Sequence, residues 1–307
     1  MFRSAISRTI PLAAALLLAG WLCAAPGCRR NSPPPTQPIT RTGPATRPGP
    51  PQPTSRLATP DEPHRPREYK VVHVFVCLAD NRHQGIVPVP AALGNGQDPR
   101  NNLYWGAMYG VKTFFRRAGH WEGLALPGPR PDGVLDRTAF RGTWSGAKVY
   151  VVAEAYDGAR MATALRDFLD AAGGGHRLAV GLSDPRAPTL QAGGWADMVC
   201  FVGHNGLMEM RPPEVPARGR RAGPAHAVVL ACKSRDYFAA PLARAGCGPL
   251  VTTTGLMAPE AYTLDAILRA WAAGADADTV RTQAALAYAE YQKCSVSAAK
   301  RLFGAQR

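Results

Sequence analysis

The chain has 307 residues and a formal net charge of +14, with 36 Lys and Arg against 22 Asp and Glu. Much of the excess lies in two proline- and arginine-rich tracts, and no basic stripe is interleaved with aromatic residues, so the charge reads as solubility or affinity for anionic envelope surfaces rather than for nucleic acid. There is no CxxC, no paired-histidine zinc spacing and no phosphate-binding glycine loop, so no metal or other cofactor is expected.

Residues 1–27 read as an export signal. Arg3 and Arg8 form a positive head, and residues 10–22 form an apolar core too short for a comfortable membrane span. The segment ends APG-Cys28, followed by Arg29 and Arg30. It resembles a bacterial lipoprotein signal, which implies lipidation of Cys28 after cleavage and a membrane anchor facing the periplasm or the exterior. Ala25 and Pro26 stand where that signal usually has Leu and a small residue, and ordinary cleavage or an uncleaved anchor are the alternatives. Residues 28–67 are dense in Pro, Thr and Arg without apolar periodicity. Such a tract buries too little surface to offset its ordering entropy, so a disordered tether is expected.

Residues 68–307, about 240 in number, suit one α/β domain. Residues 71–78 (VVHVFVCL) read as its first strand, followed by a long connection and a helix over 103–118. Residues 148–153 (KVYVVA) read as the second strand. A helix over 158–172 has Met161, Leu165, Phe168 and Leu169 at helical spacing, and a short strand over 176–182 follows. Next come apolar runs at 198–202 and 227–231, a strand at 249–253, and helices at 258–273 and 278–292, the last capped from the Gly-Ala-Asp turn before it. Strands alternating with helices imply right-handed crossovers and a mostly parallel sheet covered on both faces, a three-layer α/β sandwich. His73 and His226 read as structural, and Tyr104, Trp105, Phe114 and Phe115 as core.

The stretch with most chemistry lies between Asp197 and Gly255. The two central runs each end on a reactive side chain: the first on Gly203-His204-Asn205-Gly206, the second on Cys232. If these runs are neighbours in a parallel sheet, an imidazole and a thiol meet at the edge where open α/β sheets bind ligands. An adjacent imidazole draws the proton from a thiol that is otherwise mostly protonated at neutral pH. Gly203 and Gly206 would let a substrate backbone approach, and main-chain amides near Asn205 and Gly206 could hold an oxyanion. The folded part carries Cys77, Cys200, Cys232, Cys247 and Cys294. This odd number leaves at least one thiol free or intermolecular, and a Cys232–Cys247 disulfide is the structural rival to a catalytic Cys232. A buried, inert Cys232 is the other ordinary reading.

The order of parts, with VCFVGHNG around His204 and VVLACKS around Cys232, resembles the caspase-haemoglobinase fold of cysteine peptidases, which includes caspases, gingipains and CHAT domains. The resemblance implies a peptide hydrolase with His204 as general base, Cys232 as nucleophile, and the Gly206 region as oxyanion donor. An Asn intervenes where the family has His-Gly, and the tract from Asp80 to Asn102 matches no family motif. Specificity in that family is set by a charged residue near the first strand's end or beyond the Cys, which makes Asp80 and Arg82 candidate substrate-binding residues. An Asp would select basic side chains and an Arg acidic ones. A helix cap or a solvated loop charge is the ordinary alternative for both. Arg218, Arg220 and Arg221 form a solvated loop or, lying between base and nucleophile, a processing site of the kind found in some relatives. The expected function is thus an exported cysteine peptidase acting on peptides or proteins, and the alternative is a catalytically silent module that binds a peptide or glycan at the same edge.

Overall fold

The computed structural model describes residues 68–215 and 223–304. The expected leader with Cys28, the tether, and the arginines at 218, 220 and 221 lie outside the described residues. No helix among the described residues is long and apolar enough to cross a membrane.

Strand β1 spans Tyr69–Cys77 and is buried from Val71 onward. Helix α1 (Val111–Arg117) and the strands β2 (Glu122–Leu124), β3 (Val134–Trp144) and β4 (Ala147–Tyr156) follow. Next are α2 (Met161–Ala172), β5 (Leu178–Val180), β6 (Leu190–Ala192), β7 (Met198–Val202) and β8 (His226–Leu230). The chain closes with α3 (Ser234–Ala245), β9 (Gly248–Val251), α4 (Ala261–Ala272), α5 (Ala277–Gln292) and α6 (Val296–Phe303).

Seven strands form one sheet in the order β2-β3-β4-β1-β7-β8-β9. β4, β1, β7, β8 and β9 are mutually parallel, while β3 is antiparallel to both β4 and β2. The continuous apolar runs of β1, β7 and β8 reflect burial on both faces. Val72, Val74 and Val76 pack into the cluster that includes Phe115, Leu264, Ile267 and Ala284 of α1, α4 and α5. Val71, Phe75 and Cys77, pointing the other way, pack with Leu165, Phe168, Phe238 and Leu242 of α2 and α3. The domain is therefore an α/β fold with helices on both faces of a mostly parallel sheet.

Several expectations change. The helix over 103–118 shrinks to Val111–Arg117, because residues 103–110 turn back on the Asn102 carbonyl, which accepts from the amides of Trp105, Gly106 and Ala107. The second strand is longer than expected and gains an antiparallel partner in β3. Ser145 and Gly146 join the two at φ of 48° and 79°, the left-handed pair that a tight hairpin requires. The strand over 176–182 reduces to β5, which pairs only with β6 in a separate two-stranded sheet. Helix α3, unforeseen in the sequence, is the crossover that parallel β8 and β9 need. α5 begins as anticipated, with the Asp276 carboxylate accepting from the Thr279 amide at 2.7 Å. His73 lies in the middle of β1. It is fully buried, with Nδ1 accepting from the Gly193 amide at 3.0 Å and Nε2 3.1 Å from Glu154.

Candidate active site at the carboxyl edge of the sheet

From β1 the chain crosses to β4 on one side and later returns to β7 on the other, so the direction of winding reverses between β1 and β7. In open α/β sheets the crevice beyond such a reversal is where ligands bind. β7 and β8 are neighbours in register, with Val202 opposite Leu230, and the Gly203 amide donates to the Leu230 carbonyl at 3.2 Å. His204 and Cys232 each lie two residues beyond that matched pair. The fold thus brings both to one rim, on adjacent strands.

Cys232 sits on a sharp strand-to-helix turn. Lys233 has φ of 48° and α3 begins at Ser234, so the positive end of the helix dipole lies just beyond the thiol. The turn is stitched to the end of β9. The Lys233 amide donates to Gly255 O at 2.8 Å and the Arg235 amide to Thr253 O at 3.0 Å. The Ser234 hydroxyl donates to Val229 O and accepts from the Thr253 amide, both at 2.9 Å. The Thr253 hydroxyl, in turn, donates to Ala231 O. The sulfur itself is only partly buried. It receives the Met257 amide at 3.4 Å and lies 3.5 Å from the Met257 carbonyl.

All five thiols among the described residues are free, so Cys232 is not bonded to Cys247. Burial pushes the Cys247 thiol up to about 12, and burial drives those of Cys77 and Cys200 higher still. These three are unreactive at neutral pH. Cys294, by contrast, is exposed, so any thiol reagent will reach it as well as Cys232.

The His204 ring is 9% exposed, and its Nε2 lies 2.6 Å from Glu209 Oε1. The same oxygen accepts from the Gly85 amide at 2.8 Å, tying the loop after β1 to the loop after β7. Among the described residues no hydrogen bond joins the imidazole to the Cys232 sulfur. The bridge between the two turns is made instead by Asn205. It is fully buried, its amide nitrogen donates to Cys232 O at 2.7 Å, and its side-chain oxygen accepts from the Leu207 amide at 3.1 Å.

Asn205 and Gly206 are placed as struts rather than as oxyanion donors. Asn205 is sealed from solvent, and the Gly206 amide is spent on His204 O at 3.1 Å. The two glycines also serve packing, not substrate approach. Gly203 has φ of 151°, and a Cβ there would meet Cys77 O at 2.8 Å, while a Cβ on Gly206 would meet Met161 Cγ at 2.4 Å. The Cys232 main-chain N–H has no hydrogen-bond acceptor among the described residues, which leaves it available to a ligand.

Asp80 is 1% exposed, and its carboxylate is committed within its own loop. It accepts from the Arg82 amide at 2.8 Å, from His83 Nδ1 at 2.9 Å and from Gln97 Nε2 at 2.9 Å. Burial alone would raise its pKa, but the bonds from Gln97, His83 and the Arg82 amide outweigh burial and hold the carboxyl below the usual range. Asp80 is therefore the anchor of this loop, and Arg82 is an exposed residue beside it. A lowered folded pKa stabilises the native state above the ordinary aspartate value of about 3.9, and that contribution is lost as pH falls through the folded value. In an acid titration of stability, the Asp80→Asn variant should lose less between about pH 5 and 3 than the wild type does. Identical slopes would show that the loop bonds contribute nothing.

Two residues of the site escaped sequence reading: Glu209, which holds the His204 ring, and Met257, which contacts the Cys232 sulfur. Tyr104 is buried in the core as its spacing suggests, and burial pushes its phenol up. Glu209, a few residues past His204 in a turn, carried only the weak signal of an acidic side chain with no helix to cap. No family model, curated protein or solved structure matches this chain.

Proposed function

We propose that the chain is an exported, membrane-tethered cysteine peptidase of the caspase-like type, in which Cys232 is the nucleophile and His204 the general base. The observation that carries this reading is the arrival of imidazole and thiol at the ends of two adjacent parallel strands, on the rim beyond a winding reversal. The order β4-β1-β7-β8-β9 with helices on both faces supports the caspase-like assignment.

In this mechanism His204 takes the thiol proton and the Cys232 sulfur attacks the scissile carbonyl carbon. The oxyanion accepts from the Cys232 main-chain N–H, and the N-terminus of α3 favours the added negative charge. Collapse of the tetrahedral species breaks the C–N bond, and His204 returns the proton to the leaving amine. Water then cleaves the thioester by the reverse sequence. Glu209 fixes the ring through Nε2, leaving Nδ1 as the nitrogen that works on sulfur. The mechanism requires Nδ1 to reach the thiol in the substrate complex, and such bonds tighten in many enzymes only when substrate binds. Lipidation of Cys28 would hold the domain at a membrane in the cell envelope.

The test is to incubate the full chain with a mixture of unfolded proteins and count new amino termini. Wild type should generate them and Cys232→Ala should not. Equal counts from both would remove Cys232 from the chemistry. A finer prediction concerns Glu209. Glu209→Gln keeps an acceptor for the Gly85 amide but loses the charge facing the ring, so kcat should fall about tenfold with KM and melting temperature unchanged. Loss of folding instead of turnover would make Glu209 merely structural.

The second reading is a catalytically silent module binding a peptide or glycan at the same rim. It is favoured by one observation, that His204 is bonded to Glu209 and not to the thiol.

A further inference from the structure

Exposed large hydrophobic side chains are few among the described residues, and their placement is uneven. Val87 is 77% exposed, Met108 57%, Met208 40% and Leu256 67%. All four lie in loops that leave the carboxyl ends of β1, β7 and β9, the rim that carries His204 and Cys232. The remaining three, Leu286, Tyr291 and Val296, belong to α5 and α6. None lies in the turns that enter β4, β7, β8 or β9.

Hydrogen bonds of neighbouring residues place three of these four beside the pair. Met208 precedes Glu209, which holds both the His204 ring and the Gly85 amide, and Val87 follows two residues after Gly85. Val87 and Met208 therefore belong to the His204 side. Leu256 precedes Met257, whose amide and carbonyl contact the Cys232 sulfur, and so belongs to the Cys232 side. Met108 precedes Tyr109, whose carbonyl accepts from the Ala261 amide at the start of α4 at 2.8 Å. A large apolar side chain held in water costs free energy until something covers it, and monomeric proteins rarely cluster such groups without a partner.

We infer that the rim selects an extended peptide carrying bulky apolar side chains on both sides of the bond presented to Cys232. This rests on the peptidase reading for the acyl chemistry, but the recognition itself does not require turnover. A charged specificity pocket at the end of β1 is not needed, since Asp80 is fully engaged within its loop. A flat lipid surface fits less well than a peptide, because the part-exposed carboxylate of Glu209, next to Met208, would meet anionic headgroups.

The experiment uses the full chain and two matched quenched decapeptides, one with Leu, Val and Phe flanking the central bond, the other with Ser, Lys and Glu. Wild type should favour the apolar peptide about tenfold or more in kcat/KM. Val87→Ser and Leu256→Ser should each erode that preference severalfold, mainly through KM, with unchanged melting temperature and unchanged alkylation of Cys232 by iodoacetamide. Fluorescence anisotropy of the same peptides on Cys232→Ala measures binding without chemistry. Apolar-selective binding that weakens on adding Val87→Ser, with no cleavage by wild type, would keep this inference and sink the peptidase reading. Cleavage without apolar preference, or a preference untouched by both rim variants, would overturn this inference and keep the peptidase. Sedimentation with phosphatidylglycerol vesicles that weakens in Val87→Ser and Leu256→Ser, absent any peptide preference, would assign the rim to a membrane and also overturn it.

Discussion

Cys232→Ala is expected to abolish peptide hydrolysis, and His204→Ala to lower kcat by about 10²–10⁴-fold with little change in KM. The asymmetry follows from the roles. Without sulfur no thioester forms, whereas without the imidazole the sulfur, intrinsically a strong nucleophile, is still in place to attack. Neither variant should unfold the domain. The Asn205 strut bonds to the Cys232 main chain rather than to its sulfur, and the Leu207 amide it holds is independent of the His204 ring. Steady-state kinetics on any cleaved peptide checks this, and equal losses in kcat for Asn205→Ala and His204→Ala would show that the site is merely being disordered.

The second large effect is on stability. Phe168 of α2 is fully buried, with its ring centroid 5.8 Å from Phe75, 5.6 Å from Phe201 and 6.2 Å from Phe238. It therefore joins α2 to β1, β7 and α3 beneath the rim that carries the candidate site. Phe168→Ala removes most of a buried ring and leaves a cavity that three other aromatic rings cannot fill. The cost should be about 3–5 kcal/mol. In a domain of this size that corresponds to roughly 6–20 °C in melting temperature. Thermal unfolding measures it, and a shift under about 2 °C would mean the layer is loosely packed. Tyr156 and Phe75 stack on the same face at 6.1 Å, so a double replacement with Phe168 should not be additive.

The legible part of the fold is the part buried on both faces. β7 spans the residues its apolar run marks out, β8 is shifted by a single residue, and β1 differs by a residue or two at its ends, because a central parallel strand must be apolar throughout. β3 was missed because it lies toward the sheet edge and carries Asp136, Arg137 and Arg141. Asp136 is matched by Lys112 at 2.6 Å and Trp105 at 2.8 Å, partners that only the folded chain brings together. α3 was missed because Pro241 sits in its interior and its apolar residues do not form a clear stripe. Overlooking α3 hid the helix N-terminus beside Cys232, a favourable feature for a nucleophile.

The candidate site was half legible. His204 and Cys232 stand out because a reactive side chain ends each of two buried strands. The roles of the flanking residues were not readable, since they depend on distance across the chain. Asp80 is consumed by Gln97, and Gly206 is glycine because Met161 lies against it. Glu209 reaches His204 through a turn whose geometry no spacing rule specifies.

The most direct measurement is the alkylation rate of Cys232 by iodoacetamide at neutral pH, in a Cys294→Ser background that silences the exposed thiol among the described residues. The peptidase account expects rapid labelling at Cys232, slowed about tenfold or more by His204→Ala, with Cys77, Cys200 and Cys247 unmodified in the folded protein. Labelling at the same rate with and without the imidazole would contradict it, and would leave the rim a binding surface with an idle thiol.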